Sequence, residues 1–426
     1  MTIIRRLFIL SWFLILLVGC QPAPSNSNMT VSTQPSPSPS ASPSPSPATE
    51  TAQVQVTLPL LDALLTDDKF VARAKQNVKL SDQQIDDLKR VSSAAVGQLR
   101  ESNAEDVDEN DGNPRERAQQ ELRTVIGEQK ARELSRFANE YWSKGDPAEA
   151  SDDKAQMLKG PNAVPTDTRI VVNIPAFRMD LFRNGSLVKS YKVGIGYPQF
   201  PLPLGLRRAQ QIIFNPTWTP PDSPWVAKMK NVAPGETVEA GDKDNPLGPI
   251  KIPIGLPSLI HGGKSPARIG KFASHGCVGL TNAQIKDFAA LLGQASDTPD
   301  VASKMDTYLA DKEKTQTVKL KETIPVELRY ETIVVEDGKL HIYRDVYSQD
   351  TNTEENLRSV LEANGMKLED LSEQQRKEIL DKLKDVKKEI VIDISSVAKN
   401  GYPAPVDLDT GTGKKPTADK RGKNTD

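Results

Sequence analysis

The chain reads as a multidomain protein, in which a mainly-β domain is flanked by α-helical segments, with a disordered linker before and a disordered tail after. Three observations carry that reading. At 426 residues the chain exceeds what one hydrophobic core usually serves. Apolar spacing changes twice, from helical steps to short Val/Ile-rich runs near Thr166 and back to helical steps near Glu354. Finally, 32 prolines beside 37% hydrophobic and 5% aromatic residues mark stretches that never enter a core.

Residues 1–19 read as a lipoprotein signal peptide. Arg5-Arg6 form a basic start and Leu7 to Val18 an apolar run broken only by Ser11, too short to span a bilayer comfortably. The run ends in Leu17-Val18-Gly19-Cys20, which resembles the bacterial lipobox; that resemblance implies diacylglyceryl transfer to Cys20 and cleavage before it. The competing readings are an uncleaved anchor and an ordinary signal with a chance cysteine. The expected location is the outside of a bacterial membrane, held by an N-terminal lipid. In a Gram-negative cell, Gln21 in place of an Asp after the Cys favours the periplasmic face of the outer membrane. Residues 20–52 then comprise the lipidated Cys and a Pro/Ser-rich linker, with Ser-Pro repeats from Ser36 to Pro47 that favour extended polyproline II. Residues 21–50 of this tract reach up to about 90 Å at roughly 3.1 Å each.

Residues 53–150 are predicted as a helical module. Ser81-Asp82-Gln83-Gln84 is a capping-box start, followed by Ile85, Leu88, Val91, Val96 and Leu99 at helical steps. A second helix is expected from Asn113-Pro114 onward, carrying Leu122, Val125, Ile126, Leu134, Phe137 and Tyr141. Between them, Asp106-x-Asp108-x-Asn110 suggests a calcium loop. Asp111 stands where that loop needs Gly, and Arg117 where it needs its closing Glu, so a solvated acidic loop is the better account.

Residues 166–350 form the expected β domain. Asn184-Gly185 between β-rich runs signals a type I′ hairpin, and further short strands follow to about Tyr347. Residues 351–397 return to helix in two pieces broken at Asn364-Gly365, with Ile390 to Ile394 as a possible added strand. Residues 398–426, rich in Lys, Gly, Thr and Pro, read as a disordered tail.

The charges nearly cancel, 55 Lys+Arg against 57 Asp+Glu, which leaves no field for a polyanion and argues against a nucleic-acid partner. Two cysteines exclude a disulfide scaffold and a four-Cys metal cluster. With Cys20 lipidated, Cys277 is the remaining thiol of an exported protein, and such a thiol is either buried and inert or kept for its nucleophilicity. Its neighbourhood, Ser274-His275-Gly276-Cys277, is polar and precedes a helix expected from Asn282 to Leu292. Two of the three histidines, His261 and His275, fall within 16 residues of it, while His341 sits in a strand-like segment and reads as structural. A thiol attacking an amide needs a base to take its proton and return it to the leaving amine, and imidazole does both near neutral pH. Backbone N–H groups at Gly276-Cys277, at the turn into the helix, are expected to hold the oxyanion, with the helix N-terminus favouring thiolate. A structural Cys and a metal site of His261, His275 and Cys277 are the competing readings, but His-x-Cys supplies metal geometry awkwardly. No metal and no cofactor are expected.

Ile260-His261-Gly262-Gly263 followed by Ser274-His275-Gly276-Cys277-Val278 resembles the signature of L,D-transpeptidases of the YkuD fold. Tyr191-Lys192-Val193-Gly194-Ile195-Gly196, Asn215-Pro216-Thr217-Trp218-Thr219-Pro220-Pro221, Asn245-Pro246-Leu247-Gly248 and Asp345-Val346-Tyr347 are similar to further blocks of that family, in its order. The resemblance implies a β-sandwich catalytic domain. It also implies that Cys277 attacks a peptidoglycan tetrapeptide stem, expels the terminal D-Ala and passes the acyl group to an amine. It assigns His261 as proton donor and acceptor; His275 and Ser274 are taken as loop supports and the Gly276 backbone as oxyanion binder. Peptidoglycan stems are the expected partner, with cell-wall organisation and carbapenem acylation as corollaries. Stem carboxylates would suit the nearby cations Lys251, Lys264, Arg268 and Lys271; Lys264 and Arg268 are the substrate-binding candidates, against the plainer reading that they solvate the surface.

Two departures bear on substrate choice. Gly279 stands where many relatives carry Arg two residues after the Cys, and Leu202-Pro203-Leu204-Gly205 lacks the family's frequent Thr. The alternatives are a wall-binding relative without turnover, an L,D-carboxypeptidase and an enzyme tethering proteins to peptidoglycan. Redox exchange by a lone Cys without a resolving partner is hard to sustain.

Overall fold

The computed structural model describes residues 56–98, 113–144, 156–398 and 401–412, apart from 222, 224–225, 227–228 and 256–257. The signal peptide, Cys20, the Pro/Ser linker and the acidic loop at 106–111 lie outside the described residues. Among the described residues, no helix is long and apolar enough to cross a membrane.

Five helices open the described chain: α1 (Leu58–Leu65), α2 (Asp68–Val78), α3 (Asp82–Gln98), α4 (Pro114–Ile126) and α5 (Glu128–Lys144). Local chemistry sets their starts. Thr57 caps α1 by accepting from the Leu60 N–H at 3.2 Å, and Asp67 caps α2 by accepting from Lys69 N–H at 2.9 Å. At α3 the capping box forms as its sequence implies, Ser81 Oγ accepting from Gln84 N–H at 3.2 Å while Gln84 Oε1 accepts from Ser81 N–H at 3.1 Å. The single helix expected after Asn113 is two. Gly127, at φ 81° and ψ 160°, leaves helical space and splits the run, because glycine alone enters that region without a Cβ penalty. The stripe survives the break: Leu122, Ile126, Leu134 and Tyr141 still bury into one core with Leu61, Phe70 and Trp142. Each such side chain contributes about 1.5–3 kcal/mol from burial.

The β domain is built on one eight-stranded mixed sheet, in the order β3-β2-β1-β10-β5-β6-β7-β9. Its strands are β1 (Arg169–Asn173), β2 (Arg178–Arg183), β3 (Ser186–Lys192), β5 (Gly205–Phe214), β6 (Ile250–Pro253), β7 (Leu259–His261), β9 (Val278–Gly279) and β10 (Gln316–Arg329). β4 (Ile195–Gly196) and β8 (Phe272–Ser274) pair separately. Within the eight-stranded sheet only β1 with β10 and β7 with β9 run parallel, and the separate β4–β8 pair is parallel too. The hairpin β2–β3 turns through Asn184 at φ 49° and Gly185 at φ 78°, the two positive angles a type I′ turn demands. Helix α6 (Asn282–Ala295) follows, with Ile285, Phe288, Ala289 and Leu292 buried in the same core as Ile170, Ile212, Ile250 and Ile260. Leu204 packs against both this core and that of the helices, so the two share a boundary.

The C-terminal part adds a sheet of β11 (Ile333–Glu336), β12 (Lys339–Ile342) and β13 (Ile390–Asp393), with β13 where the Ile390 run suggested a strand. Over it lie α7 (Glu354–Ala363) and α8 (Glu373–Leu383), joined through the Asn364-Gly365 break. His341 on β12 pairs through Nδ1 with Glu389 at 2.9 Å, far in sequence from the other histidines. Residues 401–412, expected within a disordered tail, are instead held along the fold. Tyr402 N–H donates to Val335 O at 2.8 Å, Ser190 N–H to Val406 O at 2.9 Å and Lys192 N–H to Asp409 O at 2.9 Å. The backbone of β3 was open on that side, and an open edge binds any strand that offers matching groups.

Candidate active site

The site assembles where β7 and β9 lie side by side. In their parallel register Ile260 faces Val278 and His261 faces Gly279, so Cys277, one residue before β9, comes beside the strand that ends in His261. Sixteen residues of intervening chain are thereby closed into a loop on one edge of the sheet.

Cys277 is partly buried and takes part in no disulfide among the described residues. Its loop is tied by Ser274, whose Oγ donates to Cys277 O at 2.6 Å and accepts from Cys277 N–H at 2.9 Å. Two expectations change here. Cys277 leads into a strand, not into a helix; α6 starts at Asn282, and its N-cap Thr281 already receives the Gln284 N–H. The helix terminus is thus spent on its own cap. The Cys277 N–H, moreover, is engaged by Ser274 Oγ, which removes it from the expected oxyanion donors. Gly276 keeps its place in the loop at φ 94°.

His261 is buried, and its Nδ1 lies 2.7 Å from the Gly262 carbonyl. A carbonyl only accepts, so Nδ1 carries the proton of the neutral ring and Nε2 is its unprotonated nitrogen. Burial, then the Lys264 charge, pulls the His261 pKa down to about 3, against the opposing pull of the Gly262 and Leu247 backbones. Neutral imidazole is the resting form. Burial pushes the Cys277 thiol above its ordinary value, opposed by the Leu259 backbone and by Lys264. The resting pair is therefore thiol and imidazole, not thiolate and imidazolium.

His275 is exposed and stands edge-on to Phe200 at 4.6 Å and Tyr197 at 5.6 Å. The Tyr197–Phe200 loop is pressed onto the motif through Gly196: a Cβ there would meet Phe200 O at 2.1 Å and the Gly276 Cα at 3.2 Å. Tyr347 fixes that loop, its hydroxyl donating to Gly196 O at 2.9 Å and accepting from Leu202 N–H at 3.2 Å. Neither Tyr197 nor Phe200 was singled out from sequence, since their contribution is a surface against a ring and no polar pattern announces it.

Of the candidate cations, Lys264 is half-buried behind β7, Arg268 half-buried on the turn Pro266–Arg268, and Lys271 exposed. Lys251, on β6, donates to Thr217 O at 3.0 Å. Among the described residues, no group of three or more His, Cys, Asp or Glu side chains is arranged to hold a metal.

Residues 167–313 match the YkuD family model, the L,D-transpeptidase catalytic domain. The YkuD match begins just before β1 and contains the whole β7–β9 site. No curated protein matches the chain. Among solved structures, the chain is similar to the catalytic domain of an E. faecium L,D-transpeptidase, at 18% identity over 39% of this chain and 99% of that one, TM-score 0.25. It is also similar to an L,D-transpeptidase of Mycobacterium smegmatis, at 14% identity over 38% of this chain and 58% of that one, TM-score 0.24. A third is an L,D-transpeptidase of Mycobacterium tuberculosis H37Rv, at 13% identity over 38% of this chain and 57% of that one, TM-score 0.22. The chain thus spans under two thirds of both mycobacterial proteins.

Proposed function

We propose that the chain is a cell-envelope L,D-transpeptidase that forms peptidoglycan cross-links by acyl transfer through Cys277. The observation that carries this is the β7–β9 register: it sets a buried imidazole, with Nδ1 bound to the Gly262 carbonyl and Nε2 unprotonated, on the strand beside the Cys277 thiol. In the first step the Cys277 proton passes to His261 Nε2 as Sγ bonds to the carbonyl carbon of the stem's third residue. The bond to the terminal D-Ala then breaks, and its amine leaves with the proton from His261, so a thioester remains and D-Ala departs. An acceptor amine attacks the thioester, His261 takes its proton, and the new amide forms as Sγ leaves. A second stem as acceptor gives a cross-link, a lysine of another protein gives tethering, and water gives carboxypeptidase action. No step needs a cofactor.

The N-terminus supports an exported protein lipid-anchored through Cys20, with its linker carrying the catalytic domain out into the wall. Tritiated palmitate should label the chain in cells and fail to label the Cys20→Ser variant.

The activity is tested by incubating the purified chain with disaccharide tetrapeptide and reading products by mass spectrometry. D-Ala loss and dimer are expected, both abolished in Cys277→Ala and reduced at least about a hundredfold in His261→Ala, the scale of a lost general base. D-Ala loss without dimer assigns carboxypeptidase action. No D-Ala loss with any acceptor, together with no acylation by a carbapenem, refutes the enzyme and leaves a wall-binding relative.

A further inference from the structure

Gly279 leaves room that a side chain from elsewhere fills. A Cβ at residue 279 would meet Cγ and Cε of Lys264 at 2.8 Å and its Cδ at 3.2 Å, the first two closer than real Cβ atoms come. The aliphatic stem of Lys264 therefore lies along the backbone of Gly279, the residue that faces His261 in the β7–β9 ladder. Its root is fixed as well, since Lys264 N–H donates to Leu280 O at 3.0 Å. A lysine held at backbone and stem delivers its charge to one place.

That place is the reacting pair. Lys264 acts electrostatically on Cys277, His261 and His275 together, and Cys277 acts back on Lys264. The other charged groups facing this cluster are also cations: Lys251 acts on His261 while donating to Thr217 O, and Arg268 acts on Lys264. With His261 neutral at rest, no imidazolium stands beside the sulfur to favour the negative charge that develops on it as its proton leaves. The Lys264 ammonium favours that charge, and the same ammonium opposes a proton on His261, which hastens its release to the leaving amine.

We infer that Lys264, carried across the bare backbone of Gly279, is the charge partner of the Cys277 thiolate and a positioning residue of the acyl transfer. This rests on the reading of Cys277 as the nucleophile. It also gives Gly279 a reason: a side chain there would evict the lysine.

The test reads the thiol without substrate. The full chain carrying Cys20→Ser is alkylated with iodoacetamide across a pH series, alone and with Lys264→Met, Lys264→Arg or Gly279→Ala. In Lys264→Met the midpoint of alkylation should rise by about one pH unit, which is roughly tenfold slower reaction below it. Lys264→Arg should hold the midpoint near the parent's. Gly279→Ala, whose methyl pushes the stem aside, should shift it upward by less. An unmoved midpoint in Lys264→Met overturns the inference, as does an equal shift in Met and Arg variants, which would mean packing and not charge. D-Ala release from tetrapeptide, measured on the same proteins, separates the two claims. Shifted midpoints without D-Ala release sink the transpeptidase reading alone, and D-Ala release with unmoved midpoints sinks the lysine's role alone.

Discussion

At the scale of single residues, the site trades charge for burial. An exposed histidine gains its proton near pH 6.5, whereas burial and Lys264 hold His261 down to about 3. The reaction should therefore show no inflection near pH 6.5. Its rate should climb with pH instead, following a thiol that burial holds above its ordinary value near 9. A carbapenem acylation rate measured from pH 5 to 10 checks this, and a plateau starting near pH 7 would contradict it. The same shift acts on stability. Below pH 6.5 an unfolded chain protonates this residue while the folded chain does not until about pH 3, so folding free energy is lost as pH falls through that window. By pH 5 the loss reaches up to about 2 kcal/mol at 1.36 kcal/mol per unit. Melting temperature should drop less between pH 7 and pH 5 in His261→Gln than in the parent, because glutamine has no proton to gain.

At the scale of elements, the motif is held by its own first residue and by two other segments. Ser274 ties its ends, Tyr347 anchors the Tyr197–Phe200 loop behind it, and Gly196 lets the two backbones touch. Tyr347→Phe strands the Gly196 carbonyl and the Leu202 N–H, at about 1–3 kcal/mol for each buried group left unpaired. It should lower the melting temperature and slow acylation together. Gly196→Ala should slow acylation more than it lowers melting, since its methyl must displace the Phe200 carbonyl beside the motif; equal effects on both would argue that the loop is only structural. These elements also show what a sequence discloses. The capping box at Ser81, the Asn184-Gly185 hairpin, the Asn364-Gly365 break and the His261–Cys277 spacing are local, and each was legible because its chemistry lies within a few residues or one familiar pattern. The break at Gly127 was hidden because the apolar stripe continues through it in phase. That Cys277 enters a strand was hidden because a glycine-flanked motif before a capped helix reads as the helix's own start. Lys264 over Gly279 was invisible for a different reason: the signal is an empty position, and only the third dimension says what fills it.

At the scale of the whole molecule, the sheet of the β domain is completed by the C-terminal chain. Buried charges lock the C-terminal part to it: Arg178, paired with Asp180 at 2.9 Å on its own strand, also pairs with Glu336 on β11. Arg329 on β10 likewise pairs with Glu327 at 2.9 Å, and Glu327 with Arg169 on β1. Breaking one partner of such a pair costs about 3–5 kcal/mol, because the other charge stays buried. The last described segment does different work. Residues 401–409 lend backbone groups to β11 and β3, and the Gln284 side chain of α6 donates to Asp409 O at 2.9 Å, so sheet edge, helix and tail are stitched at one point. Tyr402 adds a ring edge-on to Phe182 at 5.9 Å, beneath the Arg178 guanidinium. Removing residues 399–426 would strip all of this and leave β3 with unpaired N–H and C=O groups facing water, a ready template for a second chain. Removing only 413–426 leaves those contacts intact. The longer truncation should therefore melt several degrees lower and form dimers or larger species on a sizing column, while the shorter one should match the full chain in both. If both truncations behave alike, the strap along β3 contributes nothing to closing the sheet.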